Sequence, residues 1–490
     1  MTLDKKLTSY PIPWFTLAMT GIFLLSLMLR FWDLGKFNKL VFDEVYYAKF
    51  ANNYLTGTPF FNSHPPLSQY IIAIGIWIAS HFPASPDTVN NLTGSLRSTF
   101  SYRWFNALTG SFIPLVVGAI AYQLTHRRSY AVLAAIFAAL DGFFLVESRY
   151  ALNNIYLIIF GLLGQLYFLL ALETSKRHWQ KLTLSGIFFG ASAAVKWNGL
   201  GLLLGIYLIW AISWVWLLIK KIDKKYSSGK ERTRVIPTNN TKNYLSNLTK
   251  LNLLQIISYL GIIPLITYSL LWIPHLLINP QDGFWEIHQK ILSFHQKLGT
   301  GAEIHPYCSP WYSWIFMWRP IAYYYETINN LNETIPTEPP LPPHEAKIIY
   351  DVHAIGNPVL WWLSAVAILL FLLLLIGDCL RIGLKKTLPT PQTWIIIYLV
   401  CNYATNLLPW IKVTRCTFIY HYIEALIFAE LALAWIVFRC LESNTYLHRQ
   451  TGITIILLII LAFIFWLPIY LGLPLSPKSY QLRMLFPNWI

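Results

Sequence analysis

Two adjacent carboxylates, Asp43 and Glu44, open the stretch VFDEVYYAKFANNYLTGTPFFNSHPPL at residues 41–67, beside tyrosines that include Tyr46 and ahead of His64, Pro65 and Pro66. A carboxylate within hydrogen-bond reach of a hydroxyl can serve as a general base. The competing reading of such a pair is a solvated or helix-capping pair, and a His before Pro-Pro commonly shapes a turn. Further ionisable groups sit at the ends of apolar runs: Arg103, Glu147 and Arg149 in ESRYALNN, Lys196 in AAVKWNG, and Lys412 and Arg415. At the centre of a bilayer such a group costs about 2.5–3.5 kcal/mol, so these groups pair or mark a site. Snorkelling to the interface is the alternative for Arg149 and Lys196.

The elements that must position these residues are membrane helices. Of 490 residues, 56% are hydrophobic and only 12% charged, which excludes an ordinary soluble domain. Eleven apolar runs, from Trp14 to Phe31 through to Ile453 to Tyr470, approach the length a hydrocarbon core of about 30 Å demands. The fold expected is therefore an all-α integral membrane protein with about eleven transmembrane helices. Residues 1–274 would form an N-terminal module with a large external loop at 32–103, residues 275–355 a second external loop, and residues 356–490 a four-helix C-terminal module. The run Leu67 to His81 is short. If it does not cross, Arg127, Arg128, Arg177, Lys181, the KKIDKK region and Arg439 all fall on the cytoplasmic side, as the excess of Lys and Arg in cytoplasmic loops requires. It is then a helix on or dipping into the outer leaflet. The first helix reads as retained, without a small-residue cleavage site.

With this sidedness Asp43, Glu44, His64, Arg103, Glu147, Arg149, Lys196 and Arg415 share the outer face. The formal charge of +15 is accounted for by cytoplasmic loops, and no nucleic-acid partner is expected. The five cysteines form no CxxC, so they read as packing residues, with neither a zinc site nor a disulfide framework. Trp and Tyr read mainly as interfacial belts. Asn357-Pro358 reads most simply as a helix start, and TIPTEPPLPPHE as an extended linker.

The loop FDEVYYAKFANNYLTGTPFFNSHPPL resembles the first external loop of protein O-mannosyltransferases. ESRYALNN, GASAAVKWNGL, HPYCSPWYSWIFMWRPIAYYYE, IGNPVLWW and RCTFIYHYIEAL are similar to further segments of that family, in the same order along the chain. Asn154 stands where the family often has an acid, and the loop after His275 is too short for the luminal module of eukaryotic members, so the resemblance is to a bacterial-type member. It implies the GT-C type of glycosyltransferase architecture, a multi-pass place in the cell membrane with an extracytoplasmic site, and transfer of mannose from a polyprenyl (dolichyl-type) phosphate to Ser or Thr of secreted or membrane proteins.

Glycosyl transfer from a sugar phosphate needs a base for the acceptor hydroxyl and little acid catalysis. Asp43 is expected as that base, with Glu44 orienting it or binding the acceptor backbone. Arg103, Arg149, Lys196 and Arg415 are expected to stabilise the departing phosphate, with Arg149 and Arg415 best suited to bidentate contact. His64, Tyr46, Glu147, Trp197, Asn357 and His421 are expected to shape the site. One base opposite the leaving group implies inversion. Cations already supply the charge that magnesium would supply, so no metal or other cofactor is expected. The alternatives are a related enzyme with another sugar or a glycolipid acceptor, and a transporter, against which the lack of two related halves counts.

Overall fold

The computed structural model describes residues 13–84, 89–173, 177–226, 247–301, 303–329, 348–385 and 391–489. The Pro-rich TIPTEPPLPPHE and most of the basic stretch after KKIDKK lie outside the described residues. Helix α1 (Trp14–Phe31) leads into a loop bearing α2 (Glu44–Thr56), α3 (Leu67–Ala79) and the hairpin of β1 (Val89–Leu92) and β2 (Ser95–Ser98). There follow α4 (Thr99–Thr125), α5 (Arg128–Ala139), α6 (Gly142–Arg149), α7 (Asn154–Glu173), α8 (His178–Ala193) and α9 (Leu200–Tyr226). A π turn at Ile256–Ile262 runs into α10 (Ile263–Leu271), and the segment read from the sequence as the second external loop carries α11 (Phe284–Lys297) and the strands β3 (Ile321–Ile328) and β4 (Ile348–Ala354). The chain ends with α12 (Pro358–Lys385), α13 (Pro391–Leu407), α14 (Ile423–Glu442) and α15 (Tyr446–Leu471), followed by short turns.

Among the described residues, eight spans are long and apolar enough to cross a membrane, or nine if α5 and α6, bent by 57°, count as one. The expected count of eleven is not reached on these grounds. Helix α8 has only 16 residues, and α14 carries Glu424 and Glu430 along its length. Both are nonetheless integral to the bundle: α8 packs on α7 and α10, and α14 on α5, α12, α13 and α15. The contact of α8 with the 256–271 segment depends on Gly186 and Gly190. A Cβ at Gly186 would lie 2.1 Å from the Tyr259 carbonyl oxygen, and one at Gly190 2.6 Å from that of Pro264, the close backbone approach that small residues four apart permit between membrane helices. Helix α3, with 13 residues, is too short to span and packs on α2 and α4.

Two sequence expectations need correction. The external segments are not purely helical, because each contains a two-stranded antiparallel sheet; a short hairpin has too weak a periodic signal among so many aromatic residues. Cys308 and Cys416 form a disulfide across 108 residues, with Cα atoms 5.2 Å apart. Their spacing carries no sign of pairing, since the bond joins two external loops that only the fold brings together. Asn357 starts its helix as the sequence suggests and lines neither of the two cavities described below: its Oδ1 accepts from Leu360 N at 3.3 Å, and its Nδ2 donates to the carbonyls of Leu140 and Ile459 at 3.3 and 2.9 Å.

Candidate active site

The two adjacent carboxylates point to different places because they are consecutive residues at the start of α2, where successive side chains are turned about 100° apart, and the turn that delivers them passes through a residue with a left-handed backbone. Phe42 has φ +51°, a conformation that costs a non-glycine residue roughly 1–2 kcal/mol. Its ring is held by stacking on Tyr323, with centroids 4.4 Å apart and planes 11° from parallel. Tyr323 sits at the bulge where the β3–β4 register shifts between Ala322 and Tyr324, which turns its hydroxyl to donate to Glu147 Oε1. The hairpin thus braces the turn from outside.

Glu44 faces inward. Its oxygens accept from Arg103 Nε at 2.9 Å and Nη2 at 2.8 Å, from Val41 N at 2.9 Å and from Ala151 N at 2.8 Å. The remaining donors of Arg103 reach the carbonyls of Leu34, Phe37 and Lys39. All five of its N–H groups are therefore used, and both side chains are fully buried. The pair pins the first external loop to α4 and to the start of the α6–α7 connection. Arg103 is not available to a phosphate, and Glu44 orients Asp43 only through the backbone they share. Arg149 is tied down through one nitrogen, its buried Nε having no partner among the described residues. Its Nη1 donates to the carbonyls of Leu29, Arg30 and Trp32, closing the C-terminal end of α1, and it lines neither cavity described below. No sequence pattern announces that backbone carbonyls will absorb a guanidinium.

Asp43 faces a cavity. It occupies the N-cap position of α2, and its backbone carbonyl accepts from Tyr46 N and Tyr47 N, yet its side chain makes no capping hydrogen bond. Burial pushes its carboxyl up to about 6, with Lys196 pulling the other way. Lys196 stands on an extended residue between α8 and the 3₁₀ turn Trp197–Gly199. Its Nζ donates to Asn154 Oδ1 at 3.0 Å and lies 4.7 Å from the centroid of the Tyr420 ring. Asn154 Nδ2 in turn donates to Glu147 Oε2 at 2.9 Å. Asn198 donates to Glu424 on α14.

Two cavities meet here. The inner one, about 600 Å³, is walled by Lys196, Trp197 and Asn198 and continues along the apolar Leu200, Leu203, Leu204 and Tyr207 of α9 and the end of α13. The outer one, about 480 Å³, has Asp43, Tyr46, Tyr47 and Phe50 on one side and Ile304, Phe418 and Tyr420 on the other. Ser63, His64, His295, Arg415 and His421 line both. The rings of His64 and His295 lie with centroids 5.3 Å apart and planes tilted by 35°. Burial, with Lys196 and Arg415 adding positive charge nearby, holds both imidazoles below their usual range, His295 at about 4. They are neutral at pH 7. Arg415 makes one hydrogen bond among the described residues, to its neighbour's carbonyl at Cys416, and the Cys308–Cys416 bond fixes the loop that carries it. Among the described residues no group of three His, Cys, Asp or Glu side chains is disposed to hold a metal ion.

Of the residues singled out from sequence, Asp43, Tyr46, His64, Lys196, Trp197, Arg415 and His421 line the cavities, and Glu147 stands behind Lys196. Sequence reasoning misses Tyr323, Tyr420, His295 and the Asn198–Glu424 pair. His288 and His295, seven residues apart on the amphipathic α11, are the one available signal for His295.

Comparison with known proteins adds the following. Residues 20–271 match the family described as dolichyl-phosphate-mannose-protein mannosyltransferase, and residues 280–489 the C-terminal four-transmembrane region of protein O-mannosyltransferase. The polyprenol-phosphate-mannose–protein mannosyltransferase of Corynebacterium glutamicum is 23% identical over 87% of this chain and 81% of its own. That of Mycolicibacterium smegmatis is 22% identical over 96% and 92%. In fold, the chain is similar to a solved chain of the Saccharomyces cerevisiae protein O-mannosyltransferase Pmt1-Pmt2 complex bound to the sugar donor, with a TM-score of 0.74, 14% identity and coverage of 98% and 93%.

Proposed function

Since this chain belongs to the protein O-mannosyltransferase family, a family of glycosyltransferases, we propose that it moves mannose from a polyprenyl phosphate to a Ser or Thr hydroxyl of a protein, with Asp43 as the single base. The carrying observation is the placement of Asp43: a carboxylate without a hydrogen-bond partner among the described residues, beside a junction of two cavities, with the cations Lys196 and Arg415 lining the inner one. The inner cavity, continuing along apolar α9, suits a lipid phosphate whose tail lies among helices. The outer cavity suits the acceptor segment.

In the reaction Asp43 removes the hydroxyl proton as the acceptor oxygen bonds to C1 of the sugar. The C1–O bond to phosphate breaks, and its electron pair leaves on the phosphate. Lys196 and Arg415 stabilise the charge that develops there, in a site with little water. Attack opposite the leaving group inverts the anomeric centre, so a β-linked donor gives an α-linked product. The charge needed is already present in side chains, and transfer is expected to proceed without a divalent metal. The site faces the extracytoplasmic side of the cell membrane. Supporting this, the charge bias of the short loops agrees with it, and the disulfide beside Arg415 requires an oxidising compartment.

The test is a transfer assay with purified protein, synthetic polyprenyl phosphate mannose and a Ser/Thr-rich peptide, read by mass spectrometry. A peptide gaining one hexose with wild type and none with Asp43→Asn supports the assignment. Donor turnover without peptide modification would move the acceptor to another class.

A further inference from the structure

Lys196 is held in the inner cavity by a side-chain amide. Among the described residues its ammonium makes one hydrogen bond, to Asn154 Oδ1. An ammonium can only donate, so the amide oxygen must face it, and the amide nitrogen then faces Glu147, as found at 2.9 Å. Glu147 receives a second donor from Tyr323 on its other oxygen. The order is thus ammonium, neutral amide, carboxylate, with the two charges kept out of direct contact. Asn154 opens α7 and Glu147 belongs to α6, so two helices hold the array rigidly.

We propose that Asn154 is a positioning residue that keeps Lys196 uncommitted: by standing between Lys196 and Glu147 it leaves two ammonium N–H groups and the full charge for the phosphate of the lipid donor. This rests on the functional reading above for the identity of that phosphate. Because Glu147 already supplies the carboxylate of this array, an acid at position 154 would set a second one against it and pair with Lys196 directly, removing charge that the phosphate needs. A protonated acid is nearly isosteric with the amide. Its carbonyl accepts from Lys196 and its O–H donates to Glu147, which restores the native pattern. The other charged or titratable groups facing this array are Asp43, Tyr47, His64, His295, Tyr323, Glu424, Arg415, Tyr420 and His421. They are common to wild type and variant, and they cancel in a ratio.

The experiment measures binding of a short-chain polyprenyl phosphate and, in parallel, mannosyl transfer, for wild type, Asn154→Asp and Asn154→Leu between pH 5 and 8, with melting temperature as a control for folding. At pH 7.5 and above, Asn154→Asp is expected to bind about tenfold or more weakly, the equivalent of about one pK unit of differential charge interaction. The deficit relative to wild type should shrink as pH falls. Asn154→Leu should show a deficit that pH does not relieve. A constant ratio for Asn154→Asp, or wild-type affinity in either folded variant, overturns the proposal, as does a wild type that does not bind polyprenyl phosphate. A wild type that binds it but transfers no mannose sinks the mannosyltransferase reading while the binding ratios still decide the role of Asn154.

Discussion

Asp43 and Glu44 are neighbours in sequence, of the same chemical type, and they differ in nearly every physical respect. Glu44 is dry, bidentate with Arg103 and supplied with two backbone donors. Asp43 touches a cavity and, among the described residues, has no hydrogen-bond partner for its carboxylate. Satisfaction separates architecture from chemistry here: a buried charge with every lone pair engaged holds a loop in place, whereas one left unengaged retains its affinity for a proton. The same division runs through the arginines. Arg103 spends every donor on a carboxylate and on backbone carbonyls, Arg149 gives only Nη1 to backbone carbonyls and lines neither cavity, and Arg415, with a single hydrogen bond among the described residues, lines both.

The contrast can be broken in order of size. Asp43→Asn should lower transfer by roughly 10²–10⁴-fold, the span of general base contributions, without lowering the melting temperature. A folded Asp43→Asn enzyme with near-normal turnover would end its role as base. Glu44→Ala should do the reverse, leaving Arg103 buried and unpaired at a cost of about 3–5 kcal/mol, measured as a fall in thermal stability and yield. Arg415→Ala should weaken donor binding by roughly 10–100-fold, as expected for loss of a charged hydrogen bond. Arg149→Ala should leave donor affinity unchanged and cost about 1–3 kcal/mol of stability. Equal effects on donor affinity would erase the division between them.

The pH dependence sharpens the comparison further. The reactive form of Asp43 is the carboxylate, and its carboxyl is held at about 6. Wild-type kcat/KM should therefore rise with pH through about 6 and level off above it, falling close to tenfold for each unit below. A profile flat from pH 4.5 to 8 would place the base elsewhere. The smallest effect is expected from chelation: EDTA should leave the rate unchanged, and loss of activity restored by magnesium or manganese would show that the cations of the inner cavity are not enough.

Much of the fold and of the site is legible in the amino-acid sequence. Apolar runs and the sidedness of Lys and Arg place the helices, the external loops and the face on which Asp43, His64, Lys196, Arg415 and His421 gather. What cannot be read is which of those groups the backbone consumes. Arg103 and Arg149 look like Arg415 in sequence, and only the path of residues 34–39 and the end of α1 tells them apart. Asn154 is visible as a departure from an acid but not as a bridge, since its partners lie seven and 42 residues away. The hairpin that braces Phe42 is hidden because its strands are separated by a Pro-rich stretch. Of the expected spans, α8 is short and α14 carries acids among its apolar residues, so by length and composition eight or nine qualify among the described residues.

The Cys308–Cys416 bond also sets an order of manufacture. Its second thiol is synthesised 108 residues after the first, once α12 and α13 have been made, so the loop bearing Arg415 becomes covalently tied only near the end of biogenesis and only after an oxidant has reached both sulfurs. Until then the proposed base is in place while the loop that carries Arg415 lacks its covalent anchor. Maturation of this enzyme is thereby tied in time to the thiol-oxidising capacity of the compartment it faces.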